Sequence, residues 1–142
     1  MDMKLKTCLI LLLLISAISC GVTSDPAKSN DQVNIQGTWL AQTESQNGAK
    51  KNVSYQYIIG KDSLSFIDET GKEMRYTFNL DTTGNPKLLI IRAVDTLTNA
   101  TPVGVAYVLN GDSLTIVVAP SGLRPTEISD KNDQELIICK RK

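Results

Sequence analysis

Acid–base and nucleophilic chemistry near neutral pH most often runs through histidine, and this chain of 142 residues contains none. That removes the commonest general base, the usual metal ligand and any Ser-His or Cys-His nucleophile pair. Ser113 stands in Asn110-Gly111-Asp112-Ser113-Leu114, a serine block that lacks the histidine a nucleophile would need. The Asn-Gly pair is a hairpin signal and accounts for those letters by itself. Asp62, Asp68, Glu69, Asp81 and Asp112 fall in turn-like segments, where Asp serves local hydrogen bonding. They could form an acid/base pair only by converging in a pocket, which their spacing does not require. Asp130-Lys131-Asn132-Asp133 offers oxygen donors to calcium without any specific pattern. There is no Cys pair with His for zinc and no phosphate loop. The expectation is a protein that is not an enzyme and uses neither a cofactor nor a metal.

Lys+Arg and Asp+Glu both number 15, so the charge balance points to no nucleic acid partner. The N-terminus carries Lys4 and Lys6, then an unbroken apolar run from Leu9 to Ile15, then the small residues Ser16-Ala17-Ile18-Ser19 before Cys20. These are the three parts of a secretory signal peptide. The apolar run is well short of the roughly 20 residues that span a bilayer. Ala17-Ile18-Ser19-Cys20 resembles the lipobox of bacterial lipoproteins, with Ala17 where Leu is commonest. The resemblance implies a signal peptide over 1–19, lipidation at Cys20 and, with Gly21 following, delivery to the outer membrane. Several acyl chains on one residue make a stable anchor, at about 0.8 kcal/mol per buried CH2. Cys8 would leave with the signal and Cys20 would be acylated, so Cys139 has no partner for a disulfide. In a strand-like run it is expected to behave as a small buried apolar residue. Loss of the leader takes two lysines and one aspartate and leaves the chain slightly acidic.

Residues 20–34 hold Ser, Asp, Asn and Pro with few large apolar groups, the composition of a tether. Val33 and Ile35 could close a short helical turn before Gly37. From Thr38 the period becomes two, the mark of half-buried strands. Strands are expected over 38–45, 54–59, 63–67, 72–80, 87–93, 103–109, 112–118 and 135–141, joined by turns rich in Gly, Asn and Asp. At this length they make one domain. Eight strands with short connections and no convincing helix suggest an antiparallel meander, whose edges vanish if it closes into a barrel. The pattern alone leaves a two-sheet sandwich open.

Five motifs then stand in order. Gly37-Thr38-Trp39 opens the first strand, and Tyr76-Thr77-Phe78-Asn79-Leu80-Asp81 leads to Pro86-Lys87. Gly104-Val105-Ala106-Tyr107 runs into Gly111-Asp112-Ser113-Leu114. Arg124-Pro125 follows, and Leu136-Ile137-Ile138-Cys139-Lys140-Arg141 ends the series. This order resembles the planctomycete-type lipocalin-like domain, a bacterial family of poorly known function, over residues 35–141. The departure is a less acidic segment after Pro86-Lys87, where Ile90 or Ile91 replaces an Asp. The resemblance implies an all-β, lipocalin-like, antiparallel up-and-down β-barrel of about eight strands over 35–142. It also implies a barrel floor in which Gly37 precedes a plugging Trp39, with Arg141 packed across the indole and Arg124 as a second candidate for that partner. An Arg over an indole gains about 0.5–2 kcal/mol.

If the sheet closes, Tyr55, Tyr57, Phe66, Tyr76, Phe78 and Tyr107 point inward and are the candidate ligand-binding residues. An eight-stranded barrel either fills with side chains or holds one small ligand. The leading expectation is therefore a monomer, anchored to the membrane by its N-terminal lipid, that binds a small apolar molecule. The competing one is a filled barrel whose loops 95–102 and 119–124 contact an envelope partner. Asp62-Ser63-Leu64, Asp81-Thr82-Thr83, Asp95-Thr96-Leu97 and Asp112-Ser113-Leu114 also resemble acceptor sites for bacterial O-glycosylation, Thr96 being the best exposed of them.

Overall fold

The computed structural model describes residues 30–94 and 101–142. The expected signal peptide, Cys20, most of the tether and Thr96 lie outside the described residues. The described residues form nine strands, most of them with alternating apolar and polar residues: β1 (Gly37–Gln46), β2 (Ala49–Asn52), β3 (Gln56–Ile59), β4 (Ser63–Ile67), β5 (Glu73–Asp81), β6 (Lys87–Ala93), β7 (Val103–Asn110), β8 (Ser113–Val118) and β9 (Glu135–Arg141). One helical turn, α1 (Asp31–Asn34), precedes them. Every neighbouring pair is antiparallel, and β1 pairs with β9 from Trp39 opposite Arg141 to Gln46 opposite Glu135. The sheet therefore closes on itself. It is an all-β antiparallel barrel of the lipocalin-like kind, and the two-sheet sandwich is ruled out.

Eight strands go round the barrel because β2 and β3 share one side of β1. The first half of β1, Gly37 to Leu40, pairs with β3, and the second half, Thr43 to Gln46, pairs with β2. Between these halves the β1–β9 register shifts by one residue between Ala41 and Thr43. Such a bulge leaves the extra residue unpaired and reverses which later side chains face inward. Ala41 stands opposite Cys139, but beyond Gln42 it is Glu44 that stands opposite Ile137 and Gln46 opposite Glu135.

The core lies inside the barrel. Trp39, Leu89, Leu114 and Cys139 are fully buried there, with Phe78, Val105, Tyr107, Ile116 and Ile137 nearly so. Each fully buried aliphatic or aromatic side chain of this kind contributes about 1.5–3 kcal/mol. A second apolar layer lies on the outer face. Leu88, Ala106 and Val117 stand side by side across β6, β7 and β8, and Ala106 and Val117 are fully buried. Arg124 against Gly104 and Ile128 near Val108 lay the 119–134 connection over that face.

Candidate functional site

The two ends of the barrel are built differently. At the end where β1 begins and β9 finishes, α1 and Ile35 fold under the opening. The Trp39 indole N–H donates to the Ile35 carbonyl at 2.8 Å. Arg141 lies over the same indole, its guanidinium carbon 4.2 Å from the ring centroid. Arg141 also donates from Nη1 to the Gln36 carbonyl at 2.8 Å and from Nη2 to the Asn34 carbonyl at 2.6 Å. Its Nε stands 3.2 Å from Asp112 Oδ1. Gly37 has φ of +135°, and a Cβ there would sit 2.7 Å from Arg141 Nη1. A side chain at position 37 would thus be strained in backbone and would press on an arginine already held by four partners. On the opposite wall, Lys87 Nζ and the Tyr107 hydroxyl both donate to Asp31 Oδ2 at 2.8 Å. These contacts close the floor by hydrogen bonds from three separate regions of the chain.

Arg124 is not part of this floor. It crosses the outer face near the other end of the barrel, where a Cβ on Gly104 would meet its Cγ at 3.1 Å. The reason is the alternation of β7: Val103 and Val105 face inward, so Gly104 faces out and leaves room for the arginine stem. The folded region also begins by Asn30, ahead of the boundary expected at Ile35, because α1 carries Asp31 into the floor.

The other end is open. A cavity of about 350 Å3 lies there, walled by Leu64, Phe66, Leu89, Ile91, Val105 and Ile116 and reaching Met74, Val103 and Val118 at its rim. Such a volume falls at the small end of the range for ligand sites, and its lining is almost wholly apolar, as those sites are. Three of the candidate ligand-binding residues, Tyr57, Phe66 and Tyr76, line it. Tyr55 stands behind them, its ring 5.1 Å from Phe66 and edge-on to Tyr57 at 5.9 Å. The structure does not bring Phe78 or Tyr107 to the cavity wall. Phe78 is buried in the packed core, and Tyr107 is turned toward Asp31 in the floor.

Above the cavity, on the β1–β9 side, the bulge brings two carboxyl groups together. Glu44 and Glu135 share a hydrogen bond, which holds Glu44 below the ordinary carboxylate range and lifts Glu135 to about 7. Burial raises Glu135 further, while Lys51 and Tyr55 help keep Glu44 ionised. Lys51 Nζ lies 2.7 Å from Glu44 Oε1, and the Tyr55 hydroxyl donates to Glu44 Oε2 at 2.9 Å. The pair therefore holds one proton near neutral pH, because two close carboxylates do not both ionise readily. Desolvation raises Tyr55 and Tyr57 far above the usual phenol range and pushes the Cys139 thiol up to about 12. Cys139 is fully buried and behaves as an apolar wall residue.

The turn carboxylates do not converge. Asp68 accepts from Thr70 and Lys72, and Asp81 from Thr83, each within its own turn. Asp112 serves the floor through Arg141, and Glu69 caps the Ser54 N–H. Asp130 and Asp133 tie the 119–134 connection to the β1–β2 turn by accepting from Gly48 N and Asn47 Nδ2. Among the described residues no group of three or more Asp, Glu, Cys or His is placed to hold a metal. One signal for the mouth was present in the chain: alternation back from Cys139 and Ile137 places Glu135 on the interior face. Glu44 carried none, because a strict period would have turned it outward. No family model, curated protein or solved structure matches the chain.

Proposed function

We propose that this protein is a lipid-anchored, extracytoplasmic lipocalin-like binder that holds a small, mainly apolar molecule in the open end of its barrel. The observation that carries this reading is the apolar cavity of about 350 Å3 above a floor sealed by α1, Trp39 and Arg141. A barrel serving only as a solid scaffold has no need to keep an unfilled apolar chamber bordered by Ile91, Val105 and Val118, since interiors otherwise fill to crystal-like density. The protein is not an enzyme on this reading. Asp68 and Asp81 serve backbone groups of their own turns and Asp112 serves Arg141 in the floor, and the Glu44–Glu135 pair adjoins an apolar chamber.

The lipobox-like Ala17-Ile18-Ser19-Cys20 and the order of motifs from Gly37-Thr38-Trp39 to Arg141 support the anchor and the kinship to the planctomycete-type lipocalin-like domain. The chain enters the barrel at its closed end, so an anchor at Cys20 would attach on the floor side and leave the mouth facing away from the membrane. Ligand exchange would then take place with the aqueous compartment or a carrier, on the outer-membrane side of the cell envelope. Native mass spectrometry of the protein exported in a Gram-negative host tests both parts. The expected result is a tri-acyl mass increment at Cys20 together with a discrete adduct released by organic solvent. An unacylated Cys20 overturns the anchor, and a bare barrel that also takes up no added apolar compound overturns the binder.

A further inference from the structure

The carboxyl pair lies where an amphipathic ligand would place its head. Glu135 stands opposite Val118 on β8 and opposite Gln46 on β1. Val118 belongs to the rim of the apolar cavity, whereas Glu44 and Gln46 line a second recess of about 210 Å3 with Ala49, Lys50 and Lys51. Tyr57 on the cavity wall touches Tyr55, which in turn holds Glu44. Glu44 thus lines the recess, and Glu135 stands beside the chamber rim at Val118, so the pair lies between the two. The chamber by itself points to an apolar ligand body, and the pair on its border says what chemistry the other end of that ligand would meet.

We propose that the cavity takes an amphiphile with a primary ammonium head, its apolar body between Phe66, Leu89 and Val105 and its head seated on Glu44 and Glu135. This rests on the binding function proposed above and names the ligand class of the same site. The charge arithmetic favours an ammonium over a carboxylate. Lys51 neutralises Glu44, and the proton shared with Glu135 occupies the place a second cation would take. An arriving ammonium displaces that proton and makes charge-assisted hydrogen bonds to both carboxylates. With Glu135 ionised, two carboxylates against the Lys51 ammonium leave a net negative charge, which a carboxylate head would meet as a like charge. A neutral hydroxyl head would gain at most an ordinary hydrogen bond.

Proton displacement makes the binding depend on pH. The titratable and charged groups facing Glu135 are Glu44 on β1, Lys51 on β2, and Tyr55 and Tyr57 at the head of β3; β8 presents the uncharged Val118. Both phenols stay neutral across the useful range, so the carboxyl pair alone titrates there. An alkylammonium should bind more tightly as pH rises through about 7, while a neutral alcohol of the same length should not respond.

The test compares octylammonium, 1-octanol and octanoate as probes on the full chain in lipid nanodiscs, followed through the methyl NMR signals of Val105 and Val118. These signals report the cavity and ignore probe dissolved in lipid. Octylammonium is expected to bind about tenfold tighter than 1-octanol at pH 8, with the gap closing at pH 5.5. Glu135→Gln should remove most of that advantage, and methyl signals of Val105 and Val118 that keep their native dispersion show that the variant is folded. Equal affinity of octylammonium and 1-octanol at pH 8, or a preference for octanoate, overturns the amine head and leaves the apolar binder standing. If none of the three probes shifts Val105 or Val118, the binding function falls and the ligand class with it.

Discussion

The floor and the mouth of this barrel are made from the same eight strands, yet they solve opposite problems. At the floor the polar groups are spent on closure: the Trp39 N–H, three nitrogens of Arg141, Lys87 and the Tyr107 hydroxyl all bond to backbone or carboxylate groups. At the mouth the walls are apolar and the space between them is not filled. The polar groups Lys51 and Tyr55 there gather around one titratable carboxyl pair on the rim. Hydrogen bonds fix geometry at the end that must not open, and unfilled apolar surface is kept at the end that must admit something. A barrel built for rigidity alone would have packed both ends alike.

That contrast predicts unequal responses to substitution. The largest effect belongs to the floor. Trp39→Ala removes a fully buried indole, its hydrogen bond to Ile35 and the surface under Arg141, and should cost about 3–5 kcal/mol in denaturant unfolding. A loss under about 1 kcal/mol would mean that Trp39 is not the plug its burial implies. The mouth should tolerate a change that a packed core would not. Val118→Phe adds volume at the cavity rim and should alter stability by less than about 1.5 kcal/mol, since the new ring enters space that is already open. The same variant should lose the ligand adduct in native mass spectrometry. Severe destabilisation by Val118→Phe would show that the mouth is as tightly packed as the floor.

The smallest effect is the dependence of stability on pH. Glu135 titrates at about 7 in the fold against an ordinary value of 4.5, so the native state binds the extra proton between those values. Its contribution is complete below about 4.5 and is lost as pH rises to about 7. Glu44, held below its ordinary value, acts in the opposite sense as pH falls below about 4.5. Unfolding curves should therefore show stability declining from pH 5 to pH 7.5, and Glu135→Gln should flatten that decline. An unchanged slope in the variant would place the titrating group elsewhere.

Much of the strand plan was legible because alternation survives in the chain: β4, β5, β7, β8 and β9 lie close to their expected ranges. Strand β2 was not, since Ala49-Lys50-Lys51-Asn52 is exposed throughout and carries no apolar period. Closure itself was a matter of topology rather than pattern, because β1 and β9 come from opposite ends of the domain. The bulge at Gln42 had the largest functional consequence. One unpaired residue moved Glu44 to the interior face and created the carboxyl pair, and no local composition announces a bulge of that kind. Arg124 shows the converse limit. Its neighbour Pro125 marks a loop, but only the register of β7 places that loop outside the barrel rather than beneath it. In the floor, the roles of Asp31 and Lys87 depend on a helical turn meeting a distant strand, which spacing along the chain cannot reveal.

The measurement that bears most directly on the central claim is a crystal of the protein under xenon pressure. Xenon enters apolar cavities and avoids polar or filled ones. The account predicts an ordered xenon atom among Leu89, Val105 and Ile116 in the upper half of the barrel, with none between Trp39 and α1. An empty difference map at the mouth, with the side chains of Phe66, Ile91 and Val118 closed across the axis, would contradict it.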